Sequence, residues 1–435
     1  MHLTNAPIRI AVAGGNYGGL SAMRELYLQL LATDPDYDGT KQVPPNPNVK
    51  ITLIDRRDGF VHYLGMTRGL CQSDYGNKLW VPYSAMPWLQ HSSISVKKGI
   101  VTRIASRHIE LSDTSDRVEF DYLVVALGLS RAAPIGVAAS TRDEYLRDMD
   151  RQRGLISEAQ SVVVVGGGAV GTKLAAEIKS DFPQKEVTLI HSHSLPIPGP
   201  SFTSEFRQSV ASVLQSLGVK TLFGERVVDE SSASSTEVGV MPIKHGDVLP
   251  ELVDSVKRNA TLTTSSGLKV YGDVVFNCLG VKTKASLIDL PSSSNEPIFS
   301  PNGIRVNESM QVDDPSYSHI FAAGDVSSKD VLKFAGPASR GGRIAASNIA
   351  RLIHAPIGET PALGAPKRKV NGDKNGDGEQ EYGFIKLVLG ERHAVIQRGP
   401  EVVPTKVAIH MMSPDIKLGK ATRKLYIGTF LTHGK

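Results

Sequence analysis

Two glycine clusters in this chain have the spacing to wrap backbone around a phosphate. The first is Gly14-Gly15-Asn16-Tyr17-Gly18-Gly19 and the second is Gly166-Gly167-Gly168-Ala169-Val170-Gly171. Each follows a short β-branched run, Ile8 to Ala13 and Ser161 to Val165, and each opens a helical pattern. A glycine-rich turn between strand and helix lets backbone N–H groups approach a diphosphate, with the positive end of the helix dipole behind them. The second cluster carries the complete G-x-G-x-x-G spacing at Gly166, Gly168 and Gly171. The same register in the first gives Gly14, Asn16 and Gly19, so Asn16 replaces the middle glycine. Asparagine tolerates left-handed backbone better than most residues, so the turn is expected to survive, with the Asn16 side chain beside the diphosphate.

The ends of the next strands carry the second signal. An acid there binds ribose hydroxyls. Asp55 ends the run Val49 to Asp55 and fits that place. The matching run Glu186 to His191 ends in His191, 20 positions after Gly171. With no acid to repel a 2′-phosphate, His191, Ser192 and His193 either accept NADPH or serve as polar loop residues. A third signature is Ile320-Phe321-Ala322-Ala323-Gly324-Asp325, an apolar strand ending in Gly-Asp, followed by a small-residue helical stretch to Ile349.

Other reactive residues are few. The only cysteines are Cys71 and Cys278, with no C-x-x-C spacing, which excludes a disulfide framework and a cysteine zinc site and points to a reducing compartment. Cys71 is either the sulfenic acid former of a peroxide reductase or an inert small residue. Cys278 lies in an apolar run and is expected in the core. The run Asp373 to Gly378 matches half of a calcium loop, but Phe384 stands where its bidentate Glu belongs, so no metal site is expected.

These residues need elements to hold them. After the first cluster Leu20, Met23, Tyr27, Leu30 and Leu31 recur at helical spacing; after the second Leu174, Ala175 and Ile178 do so, with Glu177 and Lys179 turned outward. Each helix leads to another strand, so the chain holds two βαβ units about 150 residues apart, both expected parallel and right-handed. Ile94 to Leu111 reads as short strands, and the apolar runs Phe120 to Gly128 and Asp273 to Gly280 repeat in the two halves. Thr33 to Asn48 and Glu230 to Thr264 read as insertions, Ala355 to Glu381 as a linker, and Phe384 to Val395 as two strands. Trp80 and Trp88 form an aromatic cluster that either packs the first unit or shapes an acceptor site.

The chain has 435 residues, enough for about three domains, with 40% hydrophobic and 21% charged residues and a net charge of +5. No apolar run is long enough for a membrane span, and the first residues show neither a secretory leader nor a myristoylation glycine.

Taken together, these motifs resemble the flavoproteins with two dinucleotide-binding domains, the pyridine-nucleotide oxidoreductases, over roughly residues 8 to 350. The stretches Ala175 to Lys179 and Lys185 to Ser192 are most similar to the branch of apoptosis-inducing factor (AIF), which includes ferroptosis-suppressing quinone reductases. The resemblance implies an α/β fold with two Rossmann-like dinucleotide-binding domains, FAD as cofactor, and NADH or NADPH as co-substrate. It implies an FAD-binding domain at 1–130 and 296–355 split by an NAD(P)-binding domain at 131–295, then a flexible linker at 356–381 and a C-terminal segment at 382–435. Asp325 would take a ribityl hydroxyl, Ala126 and Gly128 would form the turn against FAD, and the helix after Asp325 would aim its dipole at the flavin. Lys173 stands where the branch usually has a Glu near nicotinamide and flavin; it either stabilises the charge of reduced flavin, weakens the placement of nicotinamide, or faces solvent. Lys333 opens the last helix, near the flavin or on the surface.

The expected function is an FAD-dependent NAD(P)H oxidoreductase that passes electrons to a quinone-like small molecule or dioxygen, because the lone cysteines leave no dithiol relay. The rivals are an AIF-type redox signalling protein with slow turnover and nucleic-acid affinity, and a Cys71 peroxide reductase. The expected setting is cytoplasmic. The basic tail containing Lys417, Lys420, Arg423 and Lys424 suggests peripheral membrane contact, whereas the mild charge excess does not suggest a nucleic-acid partner.

Overall fold

The computed structural model describes residues 6–32, 48–112, 117–130, 134–232, 256–279, 282–283, 287–293, 296–329, 333–356, 359–365, 383–403, 405–411, 416 and 418–420. The insertion expected from Thr33, the calcium-loop look-alike and the basic residues Lys417, Arg423 and Lys424 lie outside these residues.

Two sheets organise the chain. The first begins with β1 (Ile8–Ala13), α1 (Tyr17–Leu30), β2 (Val49–Asp55), the short helix α2 (Met66–Gly69), β3 (Ile94–Lys98) and β4 (Tyr122–Val125). Helix α3 (Arg142–Glu158) leads out of it, closed at its start by a capping box between Thr141 and Glu144. The second sheet follows as β5 (Ser161–Val165), α4 (Ala169–Asp181), β6 (Glu186–His191), α5 (Ser204–Leu217), β7 (Lys220–Phe223), β8 (Val227–Ser232), β9 (Val256–Thr264) and β10 (Lys269–Asn277). The chain then returns to the first sheet with β11 (Ile320–Ala322) and α6 (Ala335–His354). It ends in a small antiparallel sheet of β12 (Phe384–Leu389), β13 (His393–Arg398) and β14 (Glu401–Val403), with α7 (Thr405–His410) after it.

In the first sheet the order is β11-β4-β1-β2-β3 and all pairs are parallel. In the second, β7-β6-β5-β10 is parallel and β9 and β8 add to its edge antiparallel. Ile10, Val12, Ile51 and Leu53 are buried in one sheet, and Val162, Val164, Leu189 and Phe276 in the other. This is the near-continuous apolar pattern of a sheet covered on both faces, and each such side chain contributes roughly 1.5–3 kcal/mol. Small residues let α6 lie close on α1: a Cβ added to Gly342 would come 2.0 Å from the Gly18 carbonyl oxygen.

The structure corrects four expectations. Val256 to Thr264, read as part of an insertion, is a nine-residue strand paired on both sides. The C-terminal part has a third strand, β14. Glu177, expected outward, is wholly buried, because α4 is covered on that side by α2 and the C-terminal hairpin. The two tryptophans form no single cluster. Trp80 packs on Tyr145 at 5.4 Å and donates to Asp58, whereas Trp88 lies under Arg24 and Tyr27. Both are core residues.

Candidate functional site

The carboxyl ends of the strands in the first sheet meet around one glycine turn. Gly14 has φ +105° and a Cβ there would sit 2.3 Å from the Ala126 carbonyl oxygen, so β1 and β4 can end side by side only with glycine at 14. Asn16 does not adopt the expected left-handed backbone: its φ is −109° and it caps α1. Its Oδ1 accepts from the Tyr17 N–H at 2.8 Å and its Nδ2 donates to the Val61 carbonyl at 3.0 Å. The side chain is thereby held in the protein. Asp55 lies at the end of β2, where its Oδ2 accepts from the Gly15 N–H at 2.6 Å. Its Oδ1 accepts from the Arg57 N–H at 2.8 Å, and the Arg57 guanidinium completes a buried ion pair. Burial alone would raise the Asp55 proton affinity, but Arg57 and the Gly15 N–H outweigh it and hold the carboxyl below its ordinary range. Tyr83 donates to the Gly15 carbonyl at 2.7 Å.

Gly18 faces the other walls of this cleft. A Cβ there would meet Ala338 O at 3.4 Å, Ala323 O at 3.6 Å and Ala126 Cβ at 3.7 Å. So the turns after β1, β4 and β11 and the first turns of α1 and α6 converge. Gly19 could not be larger, since its Cβ would fall 1.6 Å from the Gly14 oxygen. Gly128 (φ +69°) and Gly324 (φ +76°) are both left-handed, and Gly128 faces open space. Asp325 follows Gly324 in a short 3-10 turn. Lys333 does not open α6. It precedes the helix by two residues, and its Nζ donates to Ser327 O at 2.6 Å and Asn302 O at 3.3 Å, which ties loops together.

The second turn repeats the device. Gly166 has φ +110°, Gly171 approaches the Gly166 oxygen, and a Cβ on Gly168 would meet nothing within 4 Å. That is open backbone at the position where a diphosphate must approach. Beneath the loop lies the His191 ring, 2.6 Å from a Cβ built on Gly167. His191 is buried, its Nε2 has no hydrogen-bond partner, and burial followed by the neighbouring His193 lowers its proton affinity. His193 stacks on it at 5.0 Å and, like Ser192, is exposed. Open glycine faces at Gly128 and Gly168, together with an orphaned polar atom under the second loop, fit two dinucleotide groups.

Between the turns runs a polar seam. Lys173 on α4 is not a free surface lysine, because its Nζ donates to the Leu64 carbonyl at 2.7 Å. Burial pulls its proton affinity down to about 8; Glu177 opposes that shift and Arg68 adds to it. Three side chains here were not singled out as site residues in the sequence. Arg68 and Glu177 pair across the seam, and His62, also buried, contacts the Tyr17 hydroxyl at 3.1 Å and the Ile416 carbonyl at 3.0 Å. The only signal for His62 was its place seven residues after Asp55, in a run that ends on a short strand. Neither cysteine is poised for chemistry. Burial, then Asp181 and Glu177, push the Cys71 thiol far up, and burial pushes Cys278 up to about 12. Cys278 lies one residue past β10, partly buried against Gly171, rather than in the strand itself.

The pyridine nucleotide-disulphide oxidoreductase family model matches residues 8–342, which contain both glycine turns and Asp325. The chain belongs to that family. It is 29% identical over 378 residues to oxidoreductase OXR1 of Ajellomyces capsulatus, covering 82% of this chain and 77% of that protein. It is 28% identical over 349 residues to ferroptosis suppressor protein 1 of Mus musculus, covering 79% and 80%. Among solved structures, reduced CoADR-RHD of Bacillus anthracis shares the fold with a TM-score of 0.59 at 19% identity. That match covers 90% of this chain and only 61% of the other. These likenesses put the protein in the AIF-like part of the family, an oxidoreductase that uses FAD with NAD(P)H. Among the described residues no three His, Cys, Asp or Glu side chains gather to hold a metal, and no helix is long and apolar enough to cross a membrane.

Proposed function

We propose that this oxidoreductase passes electrons from NAD(P)H to a quinone-like small molecule, with dioxygen as a second acceptor. The observation that carries the reading is the state of the cysteines. A member of this family that hands electrons to a dithiol needs two thiols together, and here Cys71 is alone, half-buried and held as a thiol. The electrons must therefore leave to something outside the chain. FAD, when bound, accepts a hydride from the nicotinamide and gives up electrons one or two at a time.

The protein's own part is binding and orientation. In this reading residues 1–130 and 296–355 hold FAD. The glycine turn from Gly14 to Gly19 seats its diphosphate, with the N–H groups of Gly14, Gly15 and Tyr17 already engaged within the protein, Asp55 takes a ribose hydroxyl, the Ala126 to Gly128 turn lies against it, and Asp325 takes the ribityl chain. Residues 131–295 hold the nicotinamide dinucleotide on Gly166, Gly168 and Gly171. Lys173 keeps a positive charge at the seam below pH about 8, one turn into α4 from that loop. The missing acid after β6 leaves room for NADPH beside Ser192 and His193. Action in the cytoplasm at a membrane surface fits a quinone-like acceptor.

Anaerobic stopped-flow mixing of the purified yellow protein with NADH and with NADPH tests this reading. Bleaching of the flavin, then reoxidation by a short-chain quinone, is expected. A flavin that either nucleotide leaves oxidised sinks it. Cys71→Ser is expected to turn over as the parent does; loss of peroxide turnover in that variant would revive the peroxide reductase.

A further inference from the structure

Helix α4 opens on the nicotinamide-type glycine turn and crosses the seam with two polar anchors. Lys173 donates to the Leu64 carbonyl at 2.7 Å. One helical turn later Glu177 receives Arg68 in a two-point pair, Nε to Oε2 at 3.1 Å and Nη2 to Oε1 at 3.2 Å. Leu64 and Arg68 are themselves four residues apart on the opposite segment. The two anchors therefore fix both the slide and the rotation of α4 against the first glycine turn. Arg68 also donates to the Gly390 carbonyl at 2.8 Å, so the C-terminal hairpin joins the same clasp. On the other side, the Leu64 N–H reaches the Tyr17 hydroxyl at 3.4 Å, and Tyr17 is the first residue of α1.

The side chains of Arg68 and Glu177 are 3% and 0% exposed. A buried ion pair is a poor source of stability, since desolvation offsets its attraction and apolar residues of like volume often do as well. What it supplies is geometry: a planar guanidinium accepts a carboxylate in one orientation. We propose that Arg68 and Glu177 are the positioning pair of hydride transfer, setting the register of the nicotinamide-binding helix against the flavin site. This rests on the proposed passage of hydride from nicotinamide to flavin. The groups facing the pair are Lys173 and Asp181 on α4, Cys71 after α2, and Glu391 beside Gly390, the last two carboxylates both held by Gln72.

The test uses the holoprotein and a double variant, Arg68→Leu with Glu177→Leu, which strands no charge. Flavin content, melting temperature and reduction by dithionite report folding and the flavin itself. The limiting rate of bleaching at saturating NADH reports register. A misplacement of about 1 Å can cost on the order of 100-fold in such a step, so at least a roughly tenfold fall in that rate is expected, with flavin content, melting and dithionite reduction as in the parent. A double variant that keeps its flavin and bleaches at the parent rate overturns the proposal. If the double variant loses its flavin, Arg68→Lys decides, because it keeps the charge but not the two-point fork. A parent rate there overturns the proposal, and a reduced limiting rate with bound flavin supports it. A parent protein that NADH and NADPH both fail to bleach overturns the hydride reading itself, an outcome seen before any variant is made.

Discussion

Lys173 shows how far a residue's neighbours decide its chemistry. It lies on the first turns of α4 with its Nζ on a backbone carbonyl, and burial has brought its proton affinity down to about 8. A lysine whose folded value falls below its free value loses its charge as pH rises through the lower one. Any help its ammonium gives to hydride transfer is thus complete below about pH 7 and lost above about pH 9. The limiting rate of flavin bleaching should fall across that interval, and Lys173→Met should show a lower rate with no such limb. A pH profile that is identical in the two proteins would remove Lys173 from the reaction. Asp55 gives the opposite case. Its carboxyl is held below the ordinary range by Arg57, so the ion pair persists well into acid and fails only as pH falls through the lowered value.

At the scale of elements, the two strand–turn–helix units do the positioning, and their glycines divide into two kinds. Gly14 is needed by the fold, because its φ is positive and a Cβ would strike Ala126 O. Gly168 is needed only by a ligand, because a Cβ there meets nothing. Gly168→Val is therefore expected to fold and melt as the parent does, keep its flavin, and raise the KM for NADH about tenfold or more. Gly14→Ala should instead lose flavin and stability together. Circular dichroism melts, flavin content and steady-state kinetics on both variants check this contrast; a normal KM in Gly168→Val would refute it. These turns were legible in the sequence because spacing within six residues specifies them. The seam was not. Arg68 and Glu177 are 109 residues apart, and helical periodicity weighs only near neighbours, so a charged residue on α4 read as outward when α2 and a distant hairpin cover it. Strand β9 was hidden by a different cause. Its first half carries the polar run Lys257, Arg258 and Asn259, which blurs the alternation that marks a strand. Asn16 was misread because a helix cap takes extended backbone at negative φ, whereas its place as the middle glycine suggests a left-handed one.

Over the whole molecule, the C-terminal hairpin adds to the direct contacts between the two halves by packing on α4 and α5 and receiving Arg68 at Gly390. Ile385, Leu387, Leu389 and Val395 belong to the same apolar core as Leu174, Ala175 and Ile178 of α4 and Phe206 and Val210 of α5. Gly390 turns the hairpin at φ +63° and sits so near α4 that a Cβ would come 2.8 Å from Ser180. Gln397, buried, accepts from the Thr203 N–H at 2.9 Å and donates to Ser201 O at 2.9 Å, which seats the start of α5. Removing everything after residue 381 would take these four large apolar side chains out of that core and bare the α4 and α5 surface they cover, at roughly 1.5–3 kcal/mol each, a sum of about 6–12 kcal/mol as an upper estimate. That is comparable to the whole stability of a domain, typically about 5–15 kcal/mol. It would also leave the Arg68 guanidinium without its Gly390 contact. The first sheet shares none of this core, because its strands pack with α1 and α6. The truncated chain should therefore unfold in two steps, with the second sheet melting first. Flavin should stay bound through that first step while bleaching by NADH is already lost. Calorimetry read beside flavin fluorescence and NADH bleaching separates the steps. A truncated chain that melts in one transition at the parent temperature, with the parent KM for NADH, would show that the hairpin plays no part in joining the halves.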